Sequence, residues 1–378
     1  MRKEQETGKK PAIVGLKFSE LEQILSDHAD KAALPRFRAK QIYNWIIRGA
    51  CDFNEMTDIP ITLQNDLKDR FALFSSGISG RHNDDGAQKI VLTLNDGCKI
   101  ESVLLNDGKE RYTACLSTQA GCPAGCVFCK TGSVKFARNL DYTEITEQFF
   151  HLTHLRRKNE KDVRGQERGL NQSSARNLRQ NSLRLIDNIV IMGMGEPFLN
   201  LDNLRKAISV FTDPKGVHFS PRRITVSTCG IAESLFDIAE NGPFFRLALS
   251  LPTADETLRQ KLMPITIKNP LEKIKKALIL YQQKDGGRVT LEVPLLGGIN
   301  TREADAASIA MFAKGLNTVV NIIPWNPVAG FMFDGKPLRQ PDKKETADFT
   351  EMLKKQNLKV TTRLHKGRSV MGACGQLG

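Results

Sequence analysis

No run of apolar residues in this sequence approaches the length of a bilayer span, so a helical membrane protein is excluded. The first residues, MRKEQETGKK, are polar with no apolar segment behind them, so no secretory signal is expected and the cytoplasm is the expected compartment. Compositional bias of the disordered or fibrous kind is also missing. The 378 residues are 40% hydrophobic and 26% charged, enough for a full core and for one large domain with one or two small ones. Acidic residues are in deficit, 42 Asp and Glu against 55 Lys and Arg, and the net charge of +13 favours a polyanionic partner without identifying it. Cysteines are few and uneven, four of the eight falling within residues 115–129. In a chain of this length with no secretory signal, that clustering argues against a disulfide framework and for metal or redox chemistry.

What is present reads as three regions. In residues 1–75, LKFSELEQILSDHA, RFRAKQIYNWIIRG and ITLQNDLKDRFAL carry apolar residues at helical spacing and predict a small helical domain. Residues 76–110 alternate apolar and polar positions around Asp-Gly steps, a hairpin pattern that predicts a short β linker region. Over residues 111–378, strand patterns (YTACLST, LIDNIVIMG, RRITVST, FFRLALSL, RVTLEVPLL, NTVVNIIPW, and a further KVTTRLH) alternate with helix-period stretches. Those include YTEITEQFFHLTHLRRK, LDNLRKAISVF, ADETLRQKLM, LEKIKKALILYQQ, READAASIAMFAKGL and KKETADFTEMLKKQN. About six β/α units predict an α/β fold with a parallel sheet, better suited to an open partial (β/α)6 barrel than to a closed eightfold one; an open doubly wound sheet is the alternative. Residues 156–184 interrupt the repeat with nine Lys and Arg against three acids and few large apolar residues, predicting a basic mobile insertion that is either a solvated loop or a direct RNA contact.

The chemistry concentrates in GCPAGCVFCKTG, where Cys122, Cys126 and Cys129 have the spacing C-x3-C-x2-C. Three thiolates can hold an iron–sulfur cube by three corners and leave one iron open for substrate, whereas electron-transfer clusters and structural zinc normally have four protein ligands. Spacing alone leaves zinc, or Cys115 as a fourth ligand, open. The other polar candidates follow strand patterns, where β/α barrels gather their sites: Gly195 and Glu196 after IVIMG, Ser227 in RRITVST, Ser250 in RLALSL and Asn326 after NIIPW. Each alone could cap a helix; with the cysteine loop, which follows YTACLST, five strand ends point to one shared site. Cys374 lies in GACGQLG, where a structural cysteine gains little burial and a reactive thiol has freedom to swing.

The cysteine loop resembles that of the radical S-adenosylmethionine (SAM) enzymes, and MGMGEP resembles their glycine-rich SAM turn. With FRAKQIYNWI, MTDI, MGMGEPFLNLDNL, ITVSTCGI, KLMPI, NIIPWNP and Cys374, the sequence from about residue 15 onward is similar to the RNA adenosine C2-methyltransferases, the RlmN family, and their C8-methylating Cfr-type relatives. The resemblance implies one 4Fe–4S cluster on Cys122, Cys126 and Cys129, and SAM contacts at Gly195, Glu196, Ser227, Ser250, Leu251, Pro252 and Asn326. It further implies two SAM per turnover: one methylates Cys374, and the other yields the radical that activates the S-methyl group. Cys115 would then resolve the enzyme–RNA adduct as a disulfide with Cys374, and Glu101 in KIESVLL would accept the C2 proton. The implied substrates are 23S rRNA and tRNA, with an external electron donor such as flavodoxin or ferredoxin and a monomeric enzyme. A radical route suits C2, an electron-poor carbon that does not attack SAM directly. There are two departures from the pattern. Pro252 replaces a histidine and offers neither a side-chain donor nor an N–H, and Ser369–Ala373 replaces an acidic segment, so the resemblance does not fix how the tail docks. Cys51, Cys98 and Cys229 are expected to be small buried hydrophobes. C8 methylation is the runner-up, and a non-catalytic iron–sulfur RNA-binding or redox-sensing protein is the alternative from another class.

Overall fold

The computed structural model describes residues 10–27, 36–84, 86–108, 111–166, 185–285, 287–362 and 366–378. Helices Phe18–Asp27, Arg36–Ile47 and Ile61–Arg70 make up the N-terminal region, with a short 3-10 turn at Phe53–Glu55. In the first, Phe18, Leu21 and Leu25 share one buried stripe at helical spacing. The Asp52 side chain accepts from Asn54 N and caps the turn. The region is sewn to the rest: Ile13 N donates to Ala72 O (3.1 Å), and Thr146 Oγ1 on the long helix Tyr142–Gln166 donates to Gly15 O (2.8 Å).

Ten strands form one sheet. Strands β1 (Gly77–Asp84), β2 (Ala87–Thr93), β3 (Lys99–Asn106) and β4 (Tyr112–Cys115) run antiparallel in sequence. From β4 the sheet continues in parallel, past the small β5/β6 ladder (Gln119–Ala120 with Arg138–Asn139), through β7 (Asn188–Ile191), β8 (Ile224–Thr228), β9 (Arg246–Ser250), β10 (Val289–Leu295) and β11 (Thr318–Pro324). After the β12/β13 ribbon (Met332–Phe333 with Lys336–Pro337), β14 (Val360–Thr362) completes it. Six parallel strands thus carry the expected repeat, with three-residue β14 as an edge. Since β4 and β14 lie apart in the strand order, the barrel is open.

Residues 76–106 differ from a separate linker: they extend the barrel sheet beyond β4, because β3 has a full antiparallel register with β4 from Val103↔Cys115 to Asn106↔Tyr112. The helix at Tyr142 runs to Gln166, past the expected onset of the insertion, as Arg, Lys and Glu are good helix formers whatever their polarity. The rest of that insertion, residues 167–184, lies outside the described residues. A crossover helix, Ala232–Asn241, was not among the expected ones, though Leu235, Ile238 and Ala239 give it a buried face.

Strand alternation explains why the sheet has two unlike faces. In β7 and β8, Ile189, Ile191, Ile224 and Val226 are buried under the helices, while Asn188, Val190, Thr225 and Ser227 are half-buried on the other side. The register joins this inner face across the barrel: Cys115↔Val190, Val190↔Thr225, Thr225↔Arg246, then Ser250↔Glu292, Glu292↔Asn321 and Asn321↔Thr361. The lumen is therefore lined largely by hydroxyl, amide and charged groups instead of the stacked aliphatic layers of a packed barrel.

Candidate active site

The cysteine loop leaves β4, is pinned from two sides and is closed on itself by a third bond. Val127 N donates to Leu262 O (3.0 Å), Trp325 Nε1 donates to Phe128 O (2.8 Å), and Cys129 N donates to Cys126 O (3.1 Å). Gly132 packs so closely that a Cβ would stand 2.7 Å from Cys126 O. Ala124 and Phe128 anchor the loop in a second apolar cluster with Leu262, Met263, Leu296 and Trp325. Burial pushes the Cys122 thiol up to about 12 and the Cys126 thiol well above its usual value.

The donor set fits an iron–sulfur cube better than a single zinc ion. Among the described residues, Cys51, Glu55 and His154 are the set whose three ligand atoms lie within 4.8 Å of one another, and the Glu55 carboxylate there is already held by Arg157 (2.8 Å). The sulfurs of Cys122, Cys126 and Cys129 are spread more widely than tetrahedral zinc requires, about 3.8 Å between sulfurs for bonds of about 2.3 Å. A buried cation lies beneath the loop. Arg259 is fully buried, its Nη2 donates to Cys229 O (2.7 Å), its Nε and Nη1 have no hydrogen-bond partner among the described residues, and its charge acts on Cys229, Glu256 and Cys126. A net-negative cluster suits that surrounding.

The tail is docked, and its thiol is exposed. Lys130 N donates to Gly375 O (2.8 Å), Thr131 Oγ1 to Leu377 O (2.6 Å), Asn326 Nδ2 to Cys374 O (2.9 Å) and Gln376 Nε2 to Pro327 O (3.0 Å). Ala373, Gln376 and Leu377 are buried, so the tail needs no acidic segment to seat it. Cys374 itself is exposed, while Cys115 at the end of β4 is buried; both line one cavity of about 1590 Å³ inside the open barrel. Glu101 lies outside the lining of that cavity: its Oε1 takes the Lys89 ammonium at 2.9 Å and its Oε2 accepts from Gly378 N at 3.0 Å. Lys89, 5% exposed and also donating to Met371 O, is a buried charge that the sequence reading missed. Only the register of β2 on β3 brings it to Glu101.

The remaining expected residues cluster at strand ends with varied contacts. Gly195 has φ +104°, and a Cβ there would stand 2.6 Å from Gln119 Cβ. The Glu196 carboxylate is buried and accepts from Thr228 Oγ1, Cys229 N and Phe198 N (2.7, 2.7 and 2.9 Å), tying the ends of β7 and β8 together. Ser227 and Ser250 are half-buried on the inner face, and Leu251 is buried with its N–H on Glu292 O. Pro252 O accepts from Asn300 Nδ2 (2.6 Å). Asn326 is occupied by the tail and by Arg368, whose Nε donates to its Oδ1 (3.0 Å). Glu292, which accepts from Asn321 Nδ2 (2.7 Å), is a further lumen carboxylate not singled out from the sequence. Of the three unassigned cysteines, Cys229 is buried as expected; Cys51 is exposed, its thiol 3.2 Å from Glu55 Oε1, and Cys98 is half-buried in a turn.

An open parallel barrel carrying a three-cysteine loop after its first parallel strand defines a radical SAM enzyme. Residues 116–308 match the radical SAM superfamily, and residues 13–73 match the ribosomal RNA large subunit methyltransferase N-terminal domain. The chain is 45% identical over 344 residues to the probable dual-specificity RNA methyltransferase RlmN of Treponema denticola, covering 91% of this chain and 90% of that protein. It is 38% identical to the protein of the same description from Thermus thermophilus, covering 90% and 88%. A crystal structure of a radical SAM methyltransferase from Sphaerobacter thermophilus superposes with a TM-score of 0.83 at 33% identity, over 97% of this chain and 99% of that one. The chain belongs to the RlmN family of RNA methyltransferases, enzymes that use SAM and an iron–sulfur cluster. No helix among the described residues is long and apolar enough to cross a membrane.

Proposed function

We propose that this enzyme methylates C2 of an adenosine in 23S rRNA, and acts on tRNA as well, with the methyl group carried on the Cys374 sulfur. The observation that supports this most is the shared cavity with an exposed Cys374 and a buried Cys115 on its wall. Relatives named as dual-specificity RNA methyltransferases support the second substrate.

When bound, one 4Fe–4S cluster on Cys122, Cys126 and Cys129 and two SAM per turnover supply the methyl group and the one-electron chemistry, with the electron coming from a donor such as flavodoxin or ferredoxin. The chain's own residues do the rest. The backbone at Gly195 and Glu196, with Ser227, Ser250 and Leu251, borders the SAM site; Pro252 contributes no donor, and Asn326 acts by holding the tail. The Cys374 thiolate attacks the SAM methyl carbon, S-adenosylhomocysteine leaves, and the methyl stays on the sulfur as a thioether beside the base. Once the carbon is joined to adenine C2 and the adduct has given up its unpaired electron, Glu101 accepts the C2 proton, with Lys89 fixing the carboxylate in place. The Cys115 thiolate attacks the Cys374 sulfur, the carbon–sulfur bond breaks with its electron pair left on the carbon, that carbon takes a proton to become the methyl group, and a Cys115–Cys374 disulfide remains to be reduced. The enzyme works as a monomer in the cytoplasm, and the helical N-terminal region adds RNA contacts.

The test is to map methyladenosine by mass spectrometry in rRNA and tRNA from cells lacking the protein. C2-methyladenosine should be absent and return with the wild-type enzyme but not with Cys374→Ala. Methyl restored at C8 alone contradicts the reading.

A further inference from the structure

The barrel lumen has two unlike ends. At the C-terminal ends of the strands the tail lies across it, with Gly375 and Leu377 bonded to Lys130 and Thr131. At the other end, cations stand where the parallel strands begin: Arg111 before β4, Arg222 and Arg223 before β8, Arg246 opening β9, Arg288 before β10 and Lys359 before β14. All six are exposed and all line the same cavity as Cys115 and Cys374. Arg111 is paired with Asp107 (2.6 Å) and Arg223 lies on Asp187 (3.1 Å to its carbonyl), but Arg222, Arg246, Arg288 and Lys359 form no ion pair among the described residues.

Asp107, Asp187 and Asp285 line the same mouth, the first two answering Arg111 and Arg223, but folding does not reward the four further cations. Like charges at the starts of neighbouring strands, spaced about 5 Å apart per strand, repel one another, and an aliphatic or neutral residue would start a strand equally well. Between the rim and the thiols, the walls offer Thr113, Asn188, Thr225, Thr290, Asn321 and Thr361, groups that hydrogen-bond sugars and base edges. At about 1590 Å³ the space exceeds the roughly 300–1,000 Å³ of ordinary small-ligand pockets. With the tail across the far end, a base that reaches Cys374 has this rim as a built entrance.

We propose that the target RNA enters through the mouth at the strand N-termini, the end opposite the cysteine loop. Arg222, Arg246, Arg288 and Lys359 hold the phosphates on either side of an unstacked nucleotide whose base passes up the polar lumen. The proposal rests on the RNA-methylation reading. Phosphate contacts fix position, and the base is read only once it is out of the stack.

One variant combining Arg222→Glu, Arg246→Glu, Arg288→Glu and Lys359→Glu tests it with two readouts. Binding of a target hairpin RNA without SAM is followed across salt concentrations, and SAM-dependent S-methylation of Cys374, which needs no RNA, is followed by peptide mass. The affinity should fall at least about tenfold, and the slope of log K against log salt should shrink by about 0.7–0.9 per contact removed, with S-methylation unchanged. A charge-matched control on the outer helix, Lys343→Glu, Lys344→Glu, Lys354→Glu and Lys355→Glu, should bind as the wild type does. Wild-type affinity in the rim variant, or an equal loss in the control, overturns the proposal. If the rim variant loses S-methylation, the charge-keeping set Arg222→Lys, Arg246→Lys and Arg288→Lys decides: binding within about threefold of wild type supports the rim, and loss of binding overturns it. A wild-type enzyme that binds the RNA but never methylates it contradicts the underlying reading instead, and leaves the binding comparison valid.

Discussion

Glu147 and His151 stand one turn apart on the long helix and are both buried. Glu147 accepts from Ser76 N (3.0 Å) and Ser75 Oγ (2.5 Å), yet burial outweighs these donors and pushes its carboxyl up to about 7. His151, stacked on Phe74 (4.0 Å) and bonded to Ser76 Oγ (3.0 Å), is pushed down to about 3, by burial first and then by His154 and Arg81. The raised carboxyl contributes its full stability below its ordinary 4.5 and loses it as the pH rises through about 7; the depressed imidazole contributes fully above its ordinary 6.5 and loses it as the pH falls toward 3. The slopes oppose each other between 4.5 and 6.5, Glu147 alone acts just above that window and His151 alone below it. Chemical unfolding of Glu147→Gln should therefore lose the decline in stability that the wild type shows between about pH 6 and 8. An unchanged slope in that interval would contradict the assignment. None of this was legible in the sequence, because a Glu and a His at helical spacing read as a solvated face until Phe74, Ser75 and Ser76 are folded over them.

Elements carry the site through a few side chains that join them. Gln148, on the same helix and fully buried, accepts from Ser102 Oγ (2.6 Å) on β3 and Ser117 N (2.8 Å), and donates to Ser117 O (2.9 Å). It thereby latches the helix to the chain leaving β4 for the cysteine loop. Gln148→Leu leaves the Ser117 N–H and carbonyl buried without partners and should cost about 2–5 kcal/mol in denaturant unfolding; a loss below about 1 kcal/mol would mean that water or a neighbour replaces the amide. The strands themselves were readable as short apolar runs alternating with helix-period stretches. The helix Ala232–Asn241 was not among the expected ones, although Leu235, Ile238 and Ala239 give it a buried face. The reach of the long helix was underestimated because polarity was taken for disorder, although a chain rich in Arg, Lys and Glu propagates a helix well. The β1–β3 meander was recognised as strands but not as part of the barrel sheet, since only the β3–β4 register shows which edge it joins.

Across the whole molecule, one apolar core runs from Ile13 in the N-terminal region through the sheet to Leu377 in the tail, so the reactive end of the chain is anchored in the same core as the helices at its start. The cysteine loop and the tail thiol were legible because their chemistry dictates spacing and residue type. Lys89, Glu292 and Arg259 were not, since each has meaning only through partners far away in the sequence. The basic excess has also become more specific, with four cations that form no ion pair among the described residues at one mouth of the lumen that leads to Cys374. The central claim is that Cys374 carries the methyl group. Reduced enzyme incubated anaerobically with methyl-labelled SAM and then digested for peptide mass analysis should show the label on the Cys374 peptide before any appears in RNA, and Cys374→Ala should label neither. Label in RNA from the Cys374→Ala enzyme would contradict the account.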